Sequence, residues 1–372
     1  MTSSCSSRRN SCTPSFPTRK PALPRPRRTP KAARRSKVRL LAIETSCDET
    51  AVALIQDRGR VEVSYVNSQV HLHRPFGGVV PEVASRAHQE WLPLLVKRAL
   101  LESGREPSDL DGIAVTRGPG LIGALLVGVS FAKALSLGWG IPWIGINHLE
   151  GHLASLDLAD PPFDPPYVAL LVSGGHTEYL DVSEDWSIRY LGGTHDDAAG
   201  EAFDKVASIL ELGYPGGPAI EKAAREYSGG LHPFPRPMKG REGCDISFSG
   251  LKTAVLLAVQ AEGGLPANGD TSRWAASFQQ AAVEALTDKL QAAADMAGRN
   301  RIALVGGVAA NGALRESVRA LAKRRGWAHG VCPLKYCGDN AAMIGAAAFR
   351  ALPRESWSPM ELEADPRLSL CP

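Results

Sequence analysis

One pattern is written twice in this chain, and it limits the fold more than any other feature. Val38-Arg39-Leu40-Leu41-Ala42-Ile43 reads as a strand, residues 44–50 as a polar turn, and Ala51-Val52-Ala53-Leu54-Ile55 as a returning strand. Tyr167-Val168-Ala169-Leu170-Leu171-Val172, the tight turn Ser173-Gly174-Gly175-His176-Thr177 and the return Glu178-Tyr179-Leu180-Asp181-Val182 repeat it about 130 residues later. In each case helices follow, and then a strand that ends in glycine: Ile113-Ala114-Val115-Thr116 before Arg117-Gly118-Pro119-Gly120, and Arg301-Ile302-Ala303-Leu304-Val305 before Gly306-Gly307. Two such units imply a duplicated α/β chain.

The layout resembles the actin-like ATPase and sugar-kinase superfamily, which implies two mixed-sheet domains with a ligand cleft between them. The expected order is a disordered basic tail over 1–37, a first domain over 38–150 completed by a helix near 340–352, a second domain over 151–339, and a C-terminal tail over 353–372. The run Asp160-Pro161-Pro162-Phe163-Asp164-Pro165-Pro166 reads as the joint.

Charge separates the tail from the body. Residues 1–37 hold eleven of the 42 Lys and Arg and none of the 39 acids, so the remainder carries 31 basic and 39 acidic residues, a net of −8. A body of that sign meets nucleic acid through a local patch, not bulk charge. The tail has three readings: an organelle transit segment, an RNA-touching arm, or an incidental extension. The last gives a cytoplasmic protein, and the first a mitochondrial or plastid one. No secretory apolar core is present there. The longest apolar stretch, 121–132, is interrupted by Gly123 and Gly128 and ends at Lys133. It reads as a buried helix, with no membrane partner. Seven scattered cysteines without a CxxC fit a reducing compartment, and Cys332 and Cys337 lack a second pair for a zinc site.

Chemistry concentrates in a few places. His148 and His152 stand at i and i+4 after the strand-like Trp143-Ile144-Gly145-Ile146, with Asn147 where a helix cap belongs. Such a pair is either a polar helix face or two ligands of one metal. It is not a His-Glu-x-x-His peptidase motif, because Leu149 follows the first histidine and Glu150 points away. Glycine turns at 117–120, 173–175, 214–218 and 306–311 together favour a nucleotide-type ligand, although none is a P-loop or a dinucleotide fingerprint. Asp197, Glu201 and Asp204 can share a helical face beside Lys205, either as ion pairs or as ligands for ribose hydroxyls. Asp339 opens a small-residue helix, as an N-cap or as the third metal ligand. Arg236, Lys239 and Arg241 are either phosphate contacts or a solvated loop.

Six motifs in order make the resemblance specific: Ile43-Glu44-Thr45-Ser46-Cys47-Asp48-Glu49-Thr50, the His148/His152 pair, 171–177, 196–205, Ser247-Phe248-Ser249-Gly250-Leu251-Lys252-Thr253, and Gly306-Gly307-Val308-Ala309-Ala310-Asn311. Together, over about residues 40–350, they resemble the bacterial type of the tRNA N6-adenosine threonylcarbamoyltransferase family, once called O-sialoglycoprotein endopeptidases. The resemblance implies an acyltransferase that moves threonylcarbamoyl from threonylcarbamoyl-AMP to N6 of the adenosine 3′ of the anticodon, in tRNAs reading ANN codons, with loss of AMP. It implies one divalent metal, Fe2+ with Zn2+ as the alternative, on His148, His152 and Asp339. It implies substrate contacts from Leu171, Val172, Ser173, Gly174, Gly175, Asp204, Gly217 and Asn311, with Glu221 where many members carry Asp. Asp48 and Glu49 are the candidate catalytic carboxylates. Gly338 replaces the usual hydroxyl residue before the metal aspartate. The implied partners are tRNA, a TsaB-type paralogue, the ATPase TsaE and a TsaC-type synthase that makes the intermediate. The alternatives are a metal-dependent endopeptidase and a non-catalytic actin-like scaffold.

Overall fold

The computed structural model describes residues 37–265 and 270–371. The basic tail falls outside that range, apart from Lys37. The first half runs β1 (Arg39–Glu44), β2 (Glu49–Gln56), β3 (Arg60–Ser68), α1 (Val70–His73), α2 (Pro81–Ser103), β4 (Gly112–Gly118), α3 (Ile122–Trp139), β5 (Trp143–Asn147) and α4 (His148–Ala154). The second runs β6 (Tyr167–Val172), β7 (Thr177–Val182), β8 (Ile188–Gly193), α5 (Ala199–Ile209), α6 (Gly216–Arg225), α7 (Ser249–Ala261), α8 (Ser272–Ala297), β9 (Arg301–Val305), α9 (Gly312–Arg325) and β10 (Ala328–Val331), and α10 (Ala341–Ala351) follows.

The sheets are ordered β3-β2-β1-β4-β5 and β8-β7-β6-β9-β10. In both, two antiparallel pairings build a three-stranded ribbon, and two parallel pairings extend it. The duplication read from the two strand–turn–strand units is therefore topological. Strand alternation divides the first sheet's side chains between two cores. Leu41, Ile43, Val52, Leu54, Ile113 and Val115 pack with the α2 and α3 side. Leu40, Ala42, Ala51, Ala53, Ile55 and Ala114 join the larger core that also holds α4, α10 and the second sheet. Helix α10 comes so close that a Cβ at Gly345 would lie 2.3 Å from Ile55 Cγ2.

The buried reading of 121–132 needs correction. Helix α3 buries Ala124, Leu125, Val129 and Ala132, yet Ile122 is 47% exposed, Leu126 49% and Leu137 65%. An apolar run with no polar stripe does not say which face is covered, and here only one is.

The proline-rich joint is fastened by charge. Arg350 of α10 donates from Nε to Asp157 Oδ2 at 2.7 Å and from Nη2 to Asp164 Oδ1 at 2.9 Å. Its guanidinium lies 4.4 Å from the ring of Trp186 in the β7–β8 turn.

Candidate active site at a metal centre

Strand β5 delivers α4 to the middle of the molecule. Asn147 caps the helix, its Oδ1 accepting from the Leu149 N–H at 2.8 Å. His148 and His152 then project one turn apart, with ring centroids separated by 4.8 Å and planes at 80°. Asp339 reaches them from the loop before α10. Asn340 does the capping there, accepting from the Met343 N–H at 2.9 Å, which leaves the Asp339 carboxylate for the histidines. Asp339 Oδ1 lies 3.5 Å from His148 Nε2 and 3.3 Å from His152 Nε2.

These three residues fit a divalent metal. His152 is fully buried; among the described residues its Nδ1 has no hydrogen-bond partner, and its Nε2 faces Asp339 at 3.3 Å without hydrogen-bond geometry. Leaving such a group unpaired costs ~1–3 kcal/mol. Ligand atoms bound at about 2.0–2.1 Å in a tetrahedron stand roughly 3.3 Å apart, the spacing found between Asp339 and each histidine. Two imidazoles and a carboxylate leave open positions, as catalytic metals require.

Glu44, the last residue of β1, was not foreseen as part of the site. It is fully buried, and its Oε2 lies 3.0 Å from His148 Nδ1 and accepts from the Thr116 hydroxyl at 2.5 Å. Its other oxygen accepts from the Ser46 N–H, and Ser46 Oγ is 3.2 Å from the same His148 nitrogen. A carboxylate at the end of an apolar strand is the signal that marks it in the sequence. Burial pulls the His148 pKa down, but Asp339 and Glu44 outweigh it and hold the ring at about 9. Burial pushes Asp339 up, but the two histidines overcome this and hold it well below the usual carboxylate range. His152 is lowered, first by burial and also by the charge of His148.

Asp48 in the β1–β2 turn and Glu49 at the head of β2 stand beside each other, and Glu49 lies within the electrostatic reach of Asp339. Asp48 is 8% exposed. Burial, then the negative charges of Asp339 and Asp48, push Glu49 up to about 10. Asp48 also acts on Asp204 and Tyr214 of the second half: both are raised chiefly by burial, with Asp48 adding to each. Arg74 Nε donates to the Tyr214 carbonyl at 3.4 Å. The carboxylates of the first half thus face a wall of the second across a cleft.

That wall is made of pinned turns. Leu171 and Val172 are fully buried strand residues, so their side chains belong to the core. Ser173 and His176 close the following turn, with the Ser173 N–H donating to the His176 carbonyl at 2.8 Å and the His176 N–H to Ser173 Oγ at 3.1 Å. A Cβ at Gly174, Gly175 or Gly217 would meet nothing within 4 Å. These glycines border open space and do not relieve a clash. Gly306 is different: φ is +96°, and a Cβ would sit 2.2 Å from the Val172 carbonyl oxygen. Asp204 Oδ1 accepts from the Gly216 N–H at 2.7 Å, and Glu221 Oε1 from the Gly312 N–H at 3.0 Å. Asn311 is committed at both ends: Oδ1 accepts from the Leu314 N–H at 3.0 Å, and Nδ2 donates to Gln279 Oε1 at 2.8 Å.

The shared helical face of Asp197, Glu201 and Asp204 breaks up. Asp197 precedes α5, and Lys205 Nζ lies 2.8 Å from both Asp197 and Glu201, while Asp204 turns to α6. Arg236 is held by Glu284 at 2.7 Å and by the Phe234 carbonyl at 2.6 Å. Lys239 and Arg241 are exposed.

Fold and centre together define an actin-like α/β enzyme with two histidines and one carboxylate at its interlobe cleft. The model of the TsaD family, tRNA N6-adenosine threonylcarbamoyltransferase, matches residues 60–346. A relative of that name from Thermotoga neapolitana is 48% identical over 333 residues, covering 90% of this chain and 100% of its own length. One from Paracoccus denitrificans is 49% identical over 335 residues, covering 89% and 93%. Among solved structures, T. kodakarensis HypF superposes with a TM-score of 0.60 at 15% identity, over 85% of this chain and 48% of that one. The Acidaminococcus fermentans (R)-2-hydroxyglutaryl-CoA dehydratase component A gives 0.52 at 12%, over 85% and 100%. At these identities the structures share the fold alone. The chain belongs to the tRNA N6-adenosine threonylcarbamoyltransferase family and is a transferase that acts in tRNA modification.

Proposed function

We propose that this enzyme takes threonylcarbamoyl from threonylcarbamoyl-AMP and places it on N6 of the adenosine 3′ of the anticodon in tRNAs reading ANN codons. The observation that carries the mechanism is the convergence of two buried histidines and Asp339 on one point beside Asp48 and Glu49. The acyl-adenylate lies along the cleft wall, over the open glycines 174, 175 and 217. Asp204 meets its ribose, Glu221 fixes the α6–α9 corner, and Asn311 sets the edge that meets the adenine. Asn311 acts there as a rigid cap, because its amide is engaged within the protein.

His148, His152 and Asp339 hold one divalent ion, Fe2+ by preference and Zn2+ as the alternative, which when bound supplies Lewis-acid polarisation of a carbonyl oxygen. The N6 lone pair attacks the carbamoyl carbon, the bond from that carbon to the AMP phosphate oxygen breaks, and the amine gives up a proton. Asp48 and Glu49 orient the amine, and Asp48 receives that proton. AMP leaves readily, so no strong general acid is needed.

An endopeptidase reading lacks its base, since Glu150 turns away to Arg354 Nη2 at 3.6 Å. The assembled triad disfavours a bare scaffold. A TsaB-type paralogue fits the apolar outer face of α3, while TsaE and a TsaC-type synthase serve as accessory ATPase and donor source. The five described cysteines are all free, which agrees with a cytoplasmic setting. Single-turnover transfer from preformed acyl-adenylate tests the roles of the carboxylates. Asp48→Asn and Glu49→Gln should each slow it about 100-fold or more, and unchanged rates would remove both from the mechanism.

A further inference from the structure

The chain after α10 does not trail away. The Ser358 N–H donates to the Trp143 carbonyl at 2.8 Å, and the Asp365 N–H to the Arg117 carbonyl at 2.8 Å. The Gly120 N–H donates to the Pro366 carbonyl at 3.3 Å, and Asn147 Nδ2 to the Ser369 carbonyl at 3.2 Å. Cys371 Sγ then reaches the Ile188 carbonyl of β8 at 3.3 Å. The segment therefore straps the first half, passes the cap of the metal-binding helix, and ends on the edge strand of the second half.

Beneath this strap lies a cavity of about 510 Å³, lined among others by Leu149, His176, Glu178, Tyr190, Arg367 and Ser369. Its inner wall adjoins the metal centre without including the ligands: Leu149 follows His148 directly on α4, and His176 lies within the electrostatic reach of His148, His152 and Asp339. Asp204, Gly217, Glu221 and Asn311 do not line it. The turn 173–176 stands between the two spaces, contributing glycines to the cleft wall and His176 to the cavity.

We propose that this second cavity receives the acceptor, an adenosine flipped out of a single-stranded RNA loop, with its base against Tyr190 and its phosphate on Arg367. The inference rests on the transfer reaction proposed above. Such a reaction joins two nucleoside-bearing molecules at one carbonyl, so two pockets must meet at one centre from different sides. The cleft serves the donor, and the strapped cavity lies beside the same centre, parted from it by Leu149 and His176. Its volume falls within the usual range for small-ligand sites. Tyr190 is 50% exposed and offers an aromatic surface on which a base can stack. Arg367 supplies a positive group where the body as a whole is acidic. Target bases in RNA are reached by unstacking them into such pockets.

The test is steady-state transfer by the assembled enzyme, with tRNA and acyl-adenylate varied separately. Tyr190→Ala and Arg367→Glu should each raise KM for tRNA about tenfold and leave KM for acyl-adenylate within about twofold, while Tyr190→Phe keeps the parent value. As a second measurement, tRNA carrying 8-azidoadenosine at the target position should cross-link to peptides containing Tyr190 or residues 366–371. An unchanged tRNA KM in both variants, or cross-links confined to other surfaces, overturns the assignment of the cavity and leaves the transfer reaction standing. Absence of any transfer to RNA by the parent enzyme overturns both.

Discussion

Glu44 determines how His148 meets a cation. A carboxylate 3.0 Å from Nδ1 selects the tautomer with its proton on that nitrogen and leaves Nε2 as the ligand atom. Glu44→Gln removes the charge and keeps the shape, so metal affinity should fall about 10–100-fold, as for other outer partners of ligating histidines. Chelator competition measures it, and unchanged affinity would show that Glu44 is only a buried strand terminus. The histidine pair was legible in the sequence because i and i+4 spacing and an asparagine cap are local signals. Whether Asp339 is a cap or a ligand was not legible from spacing. The structure gives the cap to Asn340 and leaves the Asp339 carboxylate facing the two histidines. Glu44 was harder still, since its partners Thr116 and His148 arrive on strand β4 and helix α4.

At the scale of elements, charge ties strands together where hydrophobic alternation cannot. Glu62 of β3 takes Arg39 of β1 at 2.9 Å and Arg105, just beyond α2, at 3.1 Å. Burial pushes the Glu62 carboxyl up, but the two guanidiniums outweigh it and hold it below the ordinary value. A carboxylate held low in the folded state stabilises fully above its unfolded pKa of about 4.3, and that stabilisation is lost as pH falls through the lower folded value. Urea denaturation should therefore find Glu62→Gln less stable than the parent by about 1–3 kcal/mol at pH 7. The gap should close as the medium is acidified below about pH 4. A gap independent of pH would assign the effect to packing. Element positions were largely legible, as with the strand over residues 167–172, which is β6. Faces were less so. Helix α3 hides only one side, and Asp197 stands before α5 because the chain there is still held by the Thr194 hydroxyl on the Asp197 carbonyl at 2.7 Å.

For the molecule as a whole, duplication explains why the site's parts lie so far apart in sequence. Each half presents the loops at its strand ends to the other, so one half brings His148, His152 and Asp48, and the other brings Asp204 and the glycine turns at 173–175, 214–218 and 306–311. The repeated strand–turn–strand units made that architecture readable. The strap over 353–371 reads in the sequence only as a tail, because backbone hydrogen bonds and scattered side chains such as Trp357, Met360 and Leu362 hold it without a periodic pattern. On the function proposed above, the cleft modifies tRNA through the His148–His152–Asp339 centre. Mass spectrometry of tRNA nucleosides from cells depleted of the protein tests it most directly. Depletion should remove N6-threonylcarbamoyladenosine, and the parent chain should restore it where His148→Ala does not. Normal levels of the modified nucleoside after depletion, in a cell with no second copy of the gene, or full rescue by His148→Ala, would contradict it.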